Sequence, residues 1–122
     1  MGERLLKKWI TQPLTNLKDI EIRHNTVEEL VNNFECRSKL SSILPKISDL
    51  ERLITRVSNS SATPRELVNL KNGLLNLPDL TQALKNVELI GLNKEVFVDE
   101  KIMEVAEYID KTIVDTPPLT IK

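Results

Sequence analysis

One histidine, one cysteine and a few clustered carboxylates are the first places to look for chemistry in this 122-residue sequence. His24 has Glu21 three residues before it and Glu28 four residues after it, close enough on a helix for either to orient its ring as in a general base. It stands, however, inside a run of apolar positions, and no second histidine or cysteine accompanies it as a metal ligand. The sequence therefore predicts a satisfied, partly buried histidine. Cys36 would need a neighbour that stabilises its thiolate, and only Arg37 stands beside it, so it reads as a semi-buried structural thiol. Asp49 with Glu51, and Asp99 with Glu100, suggest two-carboxylate acid–base sites. First-turn positions explain both pairs, because negative charge there complements the helix dipole. Gly2, Gly73 and Gly91 are too scattered to build a phosphate-cradling loop, so the chain offers no seat for ATP. Phe34-Glu35-Cys36 lacks the spacing of an aromatic wedge with a glutamate two positions on. No catalytic, cofactor-binding or metal-ligating residue is assigned on these grounds.

The elements that would position such groups are helical throughout. Ser48-Asp49-Leu50-Glu51 and Thr63-Pro64-Arg65-Glu66 both have the form of a capping box, in which a hydroxyl caps the amide three positions on and a glutamate reaches back. Pro64 suits a first helical position. Leu5, Leu6, Trp9 and Ile10 predict a short helix over 4–11, with Trp9 read as a core residue. Leu17, Ile20, His24, Val27, Val31 and Phe34 alternate steps of three and four, which predicts one buried face of a long helix. An irregularity is expected at Asn25-Thr26, where Thr26 and Glu29 form another box. A short helix over 39–44 is ended by Pro45. Leu50, Leu53, Ile54 and Val57 give the next stripe, and Leu67, Leu70, Leu74 and Leu77 the one after, broken at Leu77-Pro78. Leu80, Ala83, Leu84 and Val87 continue to near Gly91, and Val96-Phe97-Val98 reads as a loop plugging the core. Asp99 caps a last helix buried through Ile102, Ala106, Ile109 and Ile113, with Val98 and Met103 as its hydrophobic staple. Residues 116–122 read as extended. The class expected is all-α, an irregular bundle of about six to seven helices in one unit spanning 1–122.

Composition bounds the partners. Seventeen Lys and Arg are interleaved with 18 Asp and Glu for a net charge of −1, so there is no basic face for phosphate neutralisation; Arg4, Lys7 and Lys8 read as a solvated edge. Forty per cent apolar content with only 3% aromatics suits leucine-filled helix packing. A single cysteine fits a reducing compartment, and no apolar run approaches a membrane span, so the expectation is a cytoplasmic protein with no membrane contact. Arg52 and Arg56 share a helix face; if either is buried, a carboxylate partner across a helix contact is expected.

Specific strings then matter. Met1-Gly2-Glu3-Arg4-Leu5-Leu6-Lys7-Lys8-Trp9-Ile10-Thr11-Gln12-Pro13-Leu14 is followed by Ile20-Glu21-Ile22-Arg23, Val27 and Leu30, and by Ile47-Ser48-Asp49-Leu50-Glu51-Arg52-Leu53. Thr63-Pro64-Arg65-Glu66-Leu67, Leu77-Pro78 and Ile113-Val114-Asp115-Thr116-Pro117-Pro118 complete the series. In this order it resembles the core, or lever, domain of the MutS family of DNA mismatch-repair ATPases. The resemblance implies a whole protein that binds mismatched DNA, binds and hydrolyses ATP with Mg, and works as a homodimer. Upstream mismatch-binding and connector domains and downstream clamp and ATPase domains are absent from these residues. The segment itself is expected to be non-catalytic and without a cofactor, a structural link between ATPase and clamp regions whose partners are the other domains of its chain. Surfaces those domains cover should stand bare as Leu, Ile or Val. The alternatives are an independent helical interaction module and, less economically, a small enzyme built on His24 and Cys36.

Overall fold

In the computed structural model, which describes residues 2–85 and 99–118, every regular element is a helix. They are α1 (Glu3–Thr11), α2 (Leu17–Asn32), α3 (Phe34–Ile43) with a 3-10 turn (Leu44–Lys46), α4 (Leu50–Ser58), α5 (Pro64–Leu75), α6 (Leu77–Leu84) and α7 (Glu100–Thr112). The all-α class stands. Asn33 caps both α2 and α3, and Asn76 both α5 and α6, so counting each joined run once leaves five helices among the described residues, slightly below the six to seven expected.

Local chemistry explains most helix starts. Thr63 Oγ1 accepts the Glu66 amide at 3.4 Å while Glu66 Oε2 accepts the Thr63 amide at 2.8 Å, the reciprocal box expected there. Asp99 caps α7 by accepting from the Lys101 amide at 3.1 Å. The other box is displaced: Asp49, not Ser48, caps α4, its carboxylate accepting from the Arg52 amide at 3.1 Å. A carboxylate is the stronger acceptor for that amide and also faces the positive end of the helix. No cap forms at Thr26, whose hydroxyl donates to the Ile22 carbonyl at 2.8 Å while α2 runs on unbroken; the break falls at Asn33, which accepts from the Cys36 amide. Ser60 takes a left-handed conformation (φ 51°), its amide donating to Val57 O and that of Ser61 to Arg56 O, which closes the end of α4 as a Schellman motif. Replacing Thr63 by alanine is expected to lower unfolding free energy by about 1 kcal/mol, measurable by urea denaturation.

Two apolar clusters carry the fold. Cys36, Ile43, Ile47, Leu80, Ala83 and Leu84 join α3, the residues after it and α6; Leu53, Leu70 and Ile109 join α4, α5 and α7. Leu50 packs against both. Gly73 explains how: a Cβ there would stand 3.0 Å from Leu50 Cδ2, so the missing side chain lets residue 50 lie against α5. A glycine inside a helix costs about 1 kcal/mol relative to alanine, and close approach is its return. On α7, Ala106 is fully enclosed, Ile109 is buried, and Ile102 and Ile113 are half-buried, as the stripe predicted.

The first two helices depart from expectation. Leu5, Leu6, Trp9 and Ile10 on α1, and Leu17, Val27 and Val31 on α2 with Phe34 after it, are all exposed. Periodicity marks an apolar face but does not supply the surface that covers it. Ile54 and Val57 are likewise exposed, so only Leu53 of α4's stripe is buried and Leu50 half-buried. Val87, Gly91, residues 96–98 and residues 119–122 lie outside the described residues.

Candidate functional site: a charged junction of the central helices

Among the described residues, the buried charged group is Lys71. It lies on the apolar side of α5, one turn from Leu67 and Leu74, and is 4% exposed. Its Nζ donates to Asp110 Oδ1 on α7 at 2.8 Å and to Asp115 Oδ1, beyond the end of α7, at 2.7 Å. A buried ammonium is tolerated only when paired and hydrogen-bonded, and two carboxylates from two segments meet that need. Nearby, Arg65 Nε donates to the Pro117 carbonyl at 3.0 Å, and Pro117 is buried. Together these contacts fix how α7 and the residues after it lie on α5.

A second cross-helix pair is the one anticipated for Arg56. Its Nε stands 2.8 Å from Glu66 Oε1 and is sealed from solvent; the N–H meets the carboxylate too obliquely for a linear hydrogen bond, so the contact is an ion pair. Arg56 also donates to Ser61 O at 2.7 Å, tying α4, its terminal turn and the start of α5 together. On the opposite edge Arg4 reaches Asp49 at 2.7 Å and Glu51 at 3.2 Å, and this holds α1 to the start of α4. The cleft of about 830 Å³ between these segments is lined by Arg4, Ser48, Asp49, Leu50, Leu77 and Leu80. Of its acidic groups, Asp49 is engaged by Arg4 and by the Arg52 amide and Glu51 by Arg4, while Glu3 also lines it.

The residues that first suggested chemistry are not brought together. His24 is exposed, which corrects the partly buried reading: the α2 face that carries it is itself uncovered. Cys36 is buried at 3% exposure and donates from Sγ to the Ala83 carbonyl at 3.5 Å; burial pushes its thiol pKa up, the reverse of nucleophile activation. Arg37 turns away to the Leu30 and Val31 carbonyls at the end of α2. Trp9 is not a core residue but lies beneath the Arg23 guanidinium, 3.9 Å from ring centroid to charge, which joins α1 to α2. Asp99 and Asp49 serve as caps.

The electrostatics give a testable pH profile. Hydrogen bonding from Lys71, then its charge, holds Asp115 below the usual carboxylate range. Hydrogen bonds to Asp110 and Asp115 raise Lys71 in spite of its burial. The Arg52 amide lowers Asp49, and the Thr63 amide lowers Glu66. A lowered carboxylate contributes stability that is full above its unfolded pKa, about 3.9 for aspartate, and is lost as pH falls through the lower folded value. Raised Lys71 contributes fully below about 10.4 and loses its contribution as pH rises through its folded value. Asp115→Asn is therefore expected to lower the thermal midpoint at neutral pH, with the difference shrinking as pH falls through the lowered value at which the parent's own Asp115 is protonated. A midpoint difference independent of pH would contradict the pairing.

Similarity now joins the geometry. Residues 1–122, the whole chain, match the family described as MutS domain III. The chain belongs to the MutS domain III family. It is 40% identical over 124 residues to the DNA mismatch repair protein MutS of Halothermothrix orenii, covering 100% of this chain and 14% of that protein. With the protein of the same description from Caldanaerobacter subterraneus subsp. tengcongensis it shares 40% over 123 residues, again 100% and 14%. With that of a Synechococcus species it shares 36% over 118 residues, 97% and 13%. The chain thus spans about one-seventh of the length of these relatives. No solved structure matches. For this MutS domain III chain, sequence reading missed Lys71 altogether. Its signal was present: a lysine among Leu67, Leu70 and Leu74 lies on the stripe that packs inward. No helix among the described residues is long and apolar enough to cross a membrane.

Proposed function

We propose that these residues are a structural and coupling segment of a longer mismatch-repair protein, linking its nucleotide-binding and DNA-gripping regions through packed helices. The observation that carries the reading is Lys71, set within a family match that spans the whole chain: the interior's chief polar investment goes into fixing helix α7 and the chain after it on α5, not into reactive chemistry. Transmission needs rigid elements with discrete contacts between them, and the pairs at Lys71, Arg56 and Arg4 are of that kind. The uncovered apolar faces of α1 and α2 suit contact with other domains of the same protein. On this reading ATP with Mg2+, mismatched DNA and the homodimer partner are engaged outside these residues.

A chimera tests it. Exchanging the corresponding segment of the Halothermothrix orenii protein for these 122 residues is expected to preserve mismatch repair in a repair-deficient host, whereas deleting the segment abolishes it. The purified segment alone is expected to show no ATP turnover above a protein-free control. Robust turnover by the segment, or repair undiminished by the deletion, would overturn the proposal.

A further inference from the structure

We infer that residues 113–118 form a strap, fastened to α5 rather than to α7, with Lys71 as its pin. Helix α7 ends at Ile113, whose backbone is extended (φ −122°, ψ 131°), so the chain turns off the helix axis there. Asp115 then meets Lys71 at 2.7 Å, and the Pro117 carbonyl meets Arg65 Nε at 3.0 Å. The order of these contacts sets the direction: as the strap advances from 115 to 117, its partners on α5 step back from 71 to 65, so it runs antiparallel to that helix. The lengths agree. Six residues of helix cover about 9 Å and two extended residues about 7 Å, a difference that the Arg65 side chain spans.

The strap's own composition makes it stiff. Pro117 and Pro118 fix their φ angles, and a residue before proline is driven to extended backbone, so Thr116 and Pro117 lose little freedom on docking. Val114, Asp115 and Thr116 are exposed, so the fastening consists of the two polar contacts together with half-buried Ile113, packed on the cluster that includes Leu70, and buried Pro117. Lysine suits the pin because its compact ammonium carries three donors and serves two carboxylates at once. With Asp110 and Asp115 on the same ammonium, displacement of the strap is delivered to α5 at the point where α7 is also tied. The fastening stands on geometry, while its consequence, transmission of strap movement into the bundle, rests on the coupling role proposed above.

The test uses the full-length protein that contains this segment, with nitroxide labels on cysteines placed at the exposed positions Asn69 and Thr116. Pulsed electron resonance is expected to give one narrow distance in the parent and a broad distribution in Lys71→Met. Asp115→Asn, which leaves the Lys71–Asp110 pair in place and so spares the helix contact, is expected to broaden it as well. Equal, narrow distributions in all three would overturn the strap. On the same proteins, ATP-provoked release of a mismatched duplex is expected to slow by roughly five- to ten-fold where the strap is loosened. A loosened strap with release at the parental rate would overturn the transmission role and leave the fastening standing.

Discussion

Leu80→Ala is expected to lower the unfolding free energy by about 2–5 kcal/mol. Leu80 is 8% exposed and belongs to the same buried group as Cys36, Ile43, Ile47, Ala83 and Leu84. Helix α6, which carries it, has only eight residues, too few to persist on backbone hydrogen bonds alone, so it depends on this apolar anchorage. Truncation removes three carbons from a site whose walls belong to α3 and the turn after it as well, and those walls cannot all close inward. Urea unfolding monitored by far-ultraviolet dichroism measures the loss. Ile54→Ala, at a 54% exposed position on α4, provides the comparison and is expected to change stability by less than about 0.5 kcal/mol. Equal effects at the two positions would mean that the cluster around Cys36 does not hold α6.

The second large effect is expected from adding atoms. Ala106 has no solvent exposure and lies one turn from Ile109, on the face that α7 turns to Leu70 of α5 and Leu53 of α4. A leucine there has no space to enter, so either α7 lifts or its neighbours leave their rotamers, at about 1–3 kcal/mol. Displacement of α7 also draws Asp110 away from Lys71 and leaves a buried ammonium with a poorer partner set. Ala106→Leu is therefore expected to lower stability. Ala106→Gly at the same place keeps the contact and costs about 1 kcal/mol through helix propensity. If the leucine variant were as stable as the parent, the α5–α7 contact would have to be looser than full enclosure of Ala106 implies.

Most helices could be read from the residues because their punctuation is local. The Thr63 box, the Asp99 cap and the break before Leu77-Pro78 depend on chemistry within three or four residues, and each occurs where that chemistry puts it, the break one residue early at Asn76. The same short range explains the misses. Ser48 and Asp49 are adjacent candidates for one cap, and sequence alone does not weigh a hydroxyl against a carboxylate that Arg4 also engages from 45 residues away. Thr26 is equally able to cap or to bond back to Ile22, and the continuous helix selects the second. Burial was less legible than helicity. Trp9, Val27, Val31 and Phe34 have the periodicity of core residues, and they are exposed because coverage is a property of what lies opposite a helix. The cross-helix pair of Arg56 with Glu66 was foreseeable as a requirement, since a half-buried cation needs an anion, though its partner was not. Lys71 was missed because a lysine on a charged, helical chain is usually solvated, and only the fold brings Asp110 and Asp115 to it.

Coupling through packed helices is the central claim, and the most direct measurement is the rate at which ATP releases a mismatched duplex from the full-length protein carrying Ala106→Leu. Mismatch affinity and ATP hydrolysis are measured on the same preparation. The claim predicts affinity and hydrolysis close to parental values with release slowed by roughly five-fold or more. Release at the parental rate, with α7 shown to be displaced from α5, would contradict it.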